Sequence, residues 1–488
     1  MSREPKRVGG LATVLITLLI LGIIAATGFV IWLCIDLVNQ EPVQPAPTSP
    51  SIAVPVQTET TAPPETEPPT TAPPVPEHVI ATATIASQGD LLMHKPVFDT
   101  CRKSDGSYDF ESIFRYAKDT VSSFDYALAN LETTFGGDDF IYQGNPAFNC
   151  PDGLADSVVE AGYDMLLTAN NHAGDTMAAG IARTVEQVRS KGLATLGTQL
   201  SGEEDKFAIV DINGIKVGMV CYTYAYSYDG TKFSLNGLTP IPDTGTVNFF
   251  MNNNPDKLYA AAEQHMADMK AAGAEATMMF IHWGIEYNTT ENATQNKIAQ
   301  KLCDLGYDVI VGGHPHVVQP VELLTSQTDE NHKTICIYSL GNAVSNQRTG
   351  ISDLFPAGYT EDGAMFTVTF EKYSDGKVYV AGTDVIPTWV NMHNNKGSKE
   401  YNILPLEPEK EDQWKELFEL TDANLSACQR SYLRTMGIVE RGLVECQTYL
   451  EQAKLDREDY YYNLAFFPES LTEEAPAETT EETTLPAA

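Results

Sequence analysis

Five short stretches concentrate the residue types that bind metals and move protons. Gly89-Asp90 is followed by His94. Asn130-Leu131-Glu132 comes next, then Asn170-Asn171-His172 with Asp175. His282-Trp283-Gly284 precedes Glu286, and Gly312-Gly313-His314-Pro315-His316 completes the set. Five of the nine histidines lie in these stretches. Neutral imidazole suits Zn, Mn or Fe, and carboxylates suit hard divalent ions. A pair of metal ions needs a bridging carboxylate and several His, Asp or Asn ligands from different loops, and this collection is of that type. His314-x-His316 is the most specific element, because its flanking Gly and Pro fix a turn able to present both rings. A lone His282 has the plainer reading of a hydrogen-bonded structural residue. It is the coincidence of five clusters that points to a site.

Such residues need elements to gather them. The apolar runs beginning at Val79 (VIATATIASQGDLLM) and spanning 126–131, 163–168, 276–282 and 308–312 read as buried strands. Residues 111–123, 153–161, 177–191, 256–272 and 292–305 read as helices. Each cluster follows a strand. The alternation predicts an α/β sheet architecture, whose ligand sites form at the C-terminal ends of the strands. Short consecutive strands at 207–212 and 216–224, and again at 334–340, 365–371 and 377–387, add antiparallel elements. Residues 409–463 are charged, carry Leu417, Leu420 and Leu425 at helical spacing, and read as two or three helices.

Composition narrows the class. The 488 residues include 31 Lys+Arg and 66 Asp+Glu, a formal net charge of −35. That balance argues against a general nucleic-acid binder, which needs a basic footprint. A hydrophobic content of 43% supports a real core, and eight Cys are too few for a disulfide-built scaffold. Residues 8–35 carry no charge and follow Arg3, Lys6 and Arg7. As a helix, 11–35 is roughly 38 Å long at about 1.5 Å per residue, enough to cross about 30 Å of hydrocarbon. The basic flank predicts a single-pass anchor in the cell membrane with everything after residue 36 outside. The alternative is a cleaved signal peptide, whose apolar region is usually about 7–15 residues. Twelve of residues 41–76 are Pro, which predicts an extended stalk rather than a domain. The expected organisation is a cytoplasmic tip and anchor at 1–40, a stalk at 41–77, a metal-site domain at 78–405, a helical extension at 406–470 and a disordered acidic tail at 471–488.

The motifs GDLLMH, ANLETTF, LLTANNHAGD, IHWGIEY, VGGHPHVVQPVE and YSLGN, in that order, resemble the CapA family of poly-γ-glutamate capsule biosynthesis proteins over about residues 80–390. That family is similar to the calcineurin-like metallophosphoesterases, which implies an α/β/β/α sandwich. Carried over residue by residue, the resemblance makes Asp90 the first ligand carboxylate and Glu132 the bridging one. Asn171, His282, His314 and His316 become the other ligands of one or two divalent ions (Mn, Zn or Fe), and His172 a general acid. The superfamily's His two residues after the first Asp has its nearest counterpart in His94, four residues on. His94, Asn130, Asp175, Trp283, Glu286 and Asn342 are expected to line the site. Trp283, Tyr287 and the aromatic run 222–228 could line a polymer groove or belong to the core or rim.

The implied chemistry is metal-assisted attack on a phosphoryl or acyl centre. The implied partners are a polyanionic polymer or phosphoester substrate and a membrane polymer-synthesis complex. Poly-γ-glutamate is a polyamide, so a phosphoesterase site does not explain its synthesis directly. Two further readings therefore stand: an extracellular metallophosphoesterase acting on cell-wall or nucleotide phosphoesters, and a non-catalytic scaffold or binding subunit. Ser339 has no His-Asp partner set at the standard spacing, which argues against a serine nucleophile. Outside the cell, Cys101 with Cys150 and Cys428 with Cys446 are candidate disulfides. The topology is tested by adding protease to intact protoplasts. The folded domain is expected to be degraded, and its survival contradicts the orientation.

Overall fold

The computed structural model of the protein describes residues 75–468, apart from 228–231, 238, 243, 356 and 396. The expected anchor, most of the stalk and the acidic tail lie outside the described residues. No helix among the described residues is long and apolar enough to cross a membrane.

The chain builds two sheets. β1 (Val79–Leu91) pairs in parallel with β2 (Tyr126–Asn130), and the sheet continues in parallel through β3 (Met165–Leu167) and β4 (Ala194–Leu196). The second sheet starts with the antiparallel pair β5 (Phe207–Ile212) and β6 (Ile215–Ser227). A short hairpin of β7 (Phe233–Leu235) and β8 (Thr239–Pro240) extends from β6, and β9 (Phe249–Met251) returns beside it. β10 (Ala276–His282), β11 (Val309–Gly313) and β13 (Lys333–Ile337) follow in parallel register from β6, with β12 (Val321–Thr325) antiparallel at the edge. The chain then re-enters the first sheet. β14 (Asn342–Val344) lies parallel to the end of β1, and β15 (Asp362–Tyr373), β16 (Val378–Asn395) and β17 (Ser398–Pro405) add an antiparallel meander.

Alternation along the strands assigns their faces. In β10, Met278 and Phe280 point between the sheets with Leu128, Met219 and Phe366. Met279 and Ile281 point outward onto helices α3 (Asp256–Ala271) and α4 (Ala293–Asp304), which lie later in the chain than α1 (Gly153–Glu160) and α2 (Met177–Ser190). Ala127 and Ala129 of β2 point outward under Leu154 and Val158 of α1 and Val188 of α2. Period-2 strands buried on both faces read as near-continuous apolar runs, as ATMMFIH does. The layers are thus α/β/β/α. A capping box, with Asn292 and Gln295 exchanging bonds with each other's backbone, starts α4 where strand β10 has ended.

Of the two or three helices expected over 409–463, the structure has two, a single turn at Trp414–Leu417 and one long helix. Asp422–Phe466 is one helix, α5, of 45 residues, roughly 68 Å at about 1.5 Å per residue. It is part of the core: Val439, Leu443, Cys446 and Leu450 close the edge of the space between the sheets. Each fully buried Val or Leu contributes about 1.5–3 kcal/mol. The expected helix at 111–123 is also broken, into Glu111–Phe114 and Lys118–Val121. The disulfide expectation is corrected as well. Cys428 and Cys446 sit on the same helix, about 27 Å apart at about 1.5 Å per residue, far beyond the roughly 7 Å that a bridge spans. Cys101 and Cys150 are buried free thiols, and burial pushes Cys101 up to about 12.

One buried ion pair fastens α5 to the first sheet. Arg434 Nε and Nη2 donate to the two oxygens of Asp362 at 2.6 Å each, and Ser431 Oγ donates to the same carboxylate at 2.6 Å. Burial pushes Asp362 up to about 6 despite these partners. Arg434→Ala leaves that carboxylate buried and unpaired. Urea unfolding is expected to show a loss of about 3 kcal/mol, whereas Arg430→Ala, at an exposed position on the same helix, changes stability by less than about 0.5 kcal/mol. Equal effects contradict the pair's role.

Candidate metal centre

The clusters converge where the parallel strands of both sheets end. Asp90 closes β1, in register with Asn130 of β2 and Asn342 of β14. Gly89 is required there, because a Cβ would collide with the carbonyl of Gly341. His282 closes β10, and its Cα partner on β11 is Gly313, which leads into the His314–His316 turn. In that turn His314 has φ 98° and His316 has φ 57°, left-handed conformations that non-glycine residues seldom adopt. Strain of this kind clusters at functional sites. Asn342 Nδ2 pins the turn by donating to the His316 carbonyl at 3.2 Å.

A chain of amides sets the carboxylate Asp90. Asn130 Nδ2 donates to Asp90 Oδ1 at 2.8 Å, and Asn170 Nδ2 donates to Asn130 Oδ1 at 3.1 Å. Asp90 Oδ2 lies 3.0 Å from His316 Nδ1. Glu132, also fully buried, is different: neither carboxylate oxygen has a hydrogen-bond partner. Its Oε1 lies 3.5 Å from His282 Nε2 and 3.8 Å from His316 Nε2. His282 and His314 rings are 4.9 Å apart, and His314 Nδ1 is buried without a partner. Asn171 Oδ1 lies 2.7 Å from His282 Nε2.

Two ligand groups result. Glu132, His282 and His314 form one; Asp90, Glu132 and His316 form the other. In each, the candidate ligand atoms lie within 4.8 Å of one another. Glu132 belongs to both, as a bridging carboxylate must. Its orphaned oxygens and the orphaned His314 nitrogen fit a divalent cation, and the O/N donor set suits Mn, Zn or Fe.

The electrostatics agree. Burial alone would lower His316, but the Glu132 charge and the Asp90 bond overcome it and raise it to about 9. Burial works against ionised Asp90, yet the His316 bond and the neighbouring His316 and His282 charges lower its carboxyl. Burial, then the charges of His282, His316 and His172, holds His314 far below its usual value, in the neutral form that ligates metal.

His172 sits beside this group. Its Nδ1 contacts Asp175 Oδ2 at 2.7 Å, and that oxygen also accepts from Phe148 N at 2.6 Å. This fixes the ring through Nδ1, an imidazole oriented by a carboxylate as a proton-transfer residue is. His94 lies at the periphery, with the Phe148 ring between it and His172, and burial lowers it to about 4. Glu286 is exposed on the rim beside Tyr287, whose ring is 6.3 Å from His316.

Trp283 is a correction. Following inward-facing His282, it points to the outer face, stacks on Tyr338 and donates Nε1 to the Tyr338 carbonyl at 2.8 Å. It supports the site from behind and lines a cavity on the outer face with Phe250, Gly284 and Ile298, away from the ligand cluster. The sequence reading missed Asn236, at the tip of the β7–β8 hairpin, which reaches Asn171 and His172. Its only sequence signal is an Asn-Gly pair, which reads as a turn. Tyr224 also faces the site, 4.7 Å from the His314 ring.

The orphaned Glu132 yields a stability test. After chelation, Glu132→Gln is expected to be at least as stable as the parent chain, because it removes a buried carboxylate whose oxygens have no hydrogen-bond partner. Mn or Zn at about 100 times its dissociation constant is expected to add about 2.7 kcal/mol to the parent chain and little to Glu132→Gln. Thermal unfolding with and without metal measures both, and equal gains contradict the bridging role.

Known proteins place this geometry in a family. The chain is 27% identical over 269 residues to "Capsule biosynthesis protein CapA" of Bacillus anthracis, covering 54% of this chain and 60% of that relative. It is 25% identical over 303 residues to "PGA biosynthesis protein CapA" of Bacillus subtilis (strain 168), covering 61% of this chain and 70% of that relative. Among solved structures, the Haemophilus influenzae NAD nucleotidase (NadN) aligns with a TM-score of 0.39 and 11% identity, over 79% of this chain and 61% of that one. Residues 84–347, more than half of the chain and including all five clusters, match the family model described as Bacterial capsule synthesis protein PGA_cap. The chain belongs to this capsule synthesis family, the CapA family.

Proposed function

We propose that the chain serves capsule synthesis as a divalent-metal hydrolase or transferase acting on a phosphoryl or acyl centre of an anionic surface polymer or its precursor. The observation that carries this reading is Glu132, fully buried, without a hydrogen-bond partner, and shared by two groups of ligating side chains. A scaffold has no use for such a carboxylate, whose burial costs stability unless a cation compensates it.

Asp90, Glu132, Asn171, His282, His314 and His316 would hold one or two ions of Mn, Zn or Fe. When bound, such an ion supplies Lewis-acid polarisation of the reacting oxygen. The chain's own residues supply the rest. Asp175 holds the His172 ring by Nδ1, which leaves Nε2 as the atom for proton transfer to or from the reacting group. Asn130, itself held by Asn170, orients Asp90, and His316 favours its ionised form. Burial of the donor set excludes competing water. Poly-γ-glutamate is the polymer suggested by the relatives' names. Placement outside the membrane, on a single-pass anchor and within a polymer-synthesis complex, rests on the charge-free run at 8–35 and its basic flank.

The test joins metal content to activity. The chain purified with Mn or Zn is expected to retain metal and to cleave members of a phosphoester and γ-glutamyl amide panel. His172→Ala is expected to keep its metal and lose about 100-fold or more in rate, the low end for general acid catalysis. In cells lacking the chain, the parent gene restores surface polymer and His172→Ala does not. A metal-free chain whose His172→Ala variant restores the polymer contradicts the reading in favour of a scaffold.

A further inference from the structure

The hairpin tip carries a side chain aimed at the candidate ligands. Asn236 Oδ1 accepts from Asn171 Nδ2 at 2.9 Å and lies 3.4 Å from the Tyr224 hydroxyl, while its Nδ2 lies 3.3 Å from His172 Nε2. A carboxamide has one acceptor and one donor end. Because Asn236 takes the Nδ2 end of Asn171, the Oδ1 end of Asn171 must face His282 and the ligand cluster, where it lies 2.7 Å from Nε2. Only the carbonyl end of an amide ligates a hard or borderline cation. Without Asn236, rotation of Asn171 by half a turn would present an NH₂ group to the cation.

We propose that Asn236 is a positioning residue that fixes the metal-facing end of Asn171 and steadies the His172 ring, so that the β7–β8 hairpin belongs to the metal centre. This rests on the metal-centre reading above. The bland alternative is that Asn236 merely makes the turn. It has φ 52° and precedes Gly237 at φ 68°, and Asn-Gly is favoured in such left-handed pairs. The two roles separate by substitution. Asn236→Gly keeps the turn and deletes the side chain. Asn236→Asp keeps an acceptor for Asn171 and replaces the amide NH₂ that lies beside His172 Nε2.

The experiment is competitive titration of Mn and of Zn into the chelated full-length chain and both variants, with thermal unfolding of each apo form. Asn236→Gly is expected to unfold at the parent temperature and to bind metal about 10–100-fold more weakly, as loss of an outer partner of a ligand does. Asn236→Asp is expected to bind within about threefold of the parent, or tighter. Parent-like binding by Asn236→Gly overturns the proposal and leaves Asn236 a turn residue. Equal weakening in both variants also overturns it, since the retained acceptor then does nothing. A parent chain that takes up no metal contradicts the metal-centre reading itself.

Discussion

A buried carboxylate without a hydrogen bond is the constraint from which the rest follows. Glu132 is fully buried, and both oxygens lack hydrogen bonds. A buried charge of this kind is tolerated only if something positive compensates it. The nearest groups are His282 and His316, and the pull of Glu132 and Asp90 is strong enough to raise His316 against burial. The pocket is therefore built to hold positive charge, and a divalent cation supplies it with better geometry than one imidazolium.

The architecture serves that requirement. Parallel strands from two sheets carry the ligands at or just beyond their C-terminal ends, which brings Asp90, Glu132, His282, His314 and His316 together. Rigid connections then refine the arrangement. Amides of Asn130, Asn170 and Asn342 hold Asp90 and the His316 turn, and Asp175 holds His172. These bonds lie among buried groups, where they are strong and where an unsatisfied one is costly. Helix α5 braces the edge of both sheets and so protects the spacing between them.

Much of this was legible in the residues, for identifiable reasons. Apolar runs ending in polar clusters located the strand ends, and parallel pairing made those ends converge. The Gly and Pro around His314 and His316 signalled a fixed turn, which the structure realises with two left-handed residues. The misreadings have equally physical causes. Trp283 was read by its neighbourhood rather than by its parity, although the alternation of β10 sends it to the face opposite His282. Asn236 was invisible because its partners come from residues 65 and 64 positions away, and its own sequence says only turn. Cys428 and Cys446 are a candidate pair by compartment alone, and the single helix that carries both holds them apart.

The central claim is that Glu132 bridges two cation positions. Anomalous scattering from crystals of the chain grown with Mn tests it most directly. The account predicts two peaks about 3.5–4 Å apart, one within ligand distance of Glu132, His282 and His314 and the other of Glu132, Asp90 and His316. A map without a peak in this cluster, or with its Mn bound away from Glu132, contradicts it.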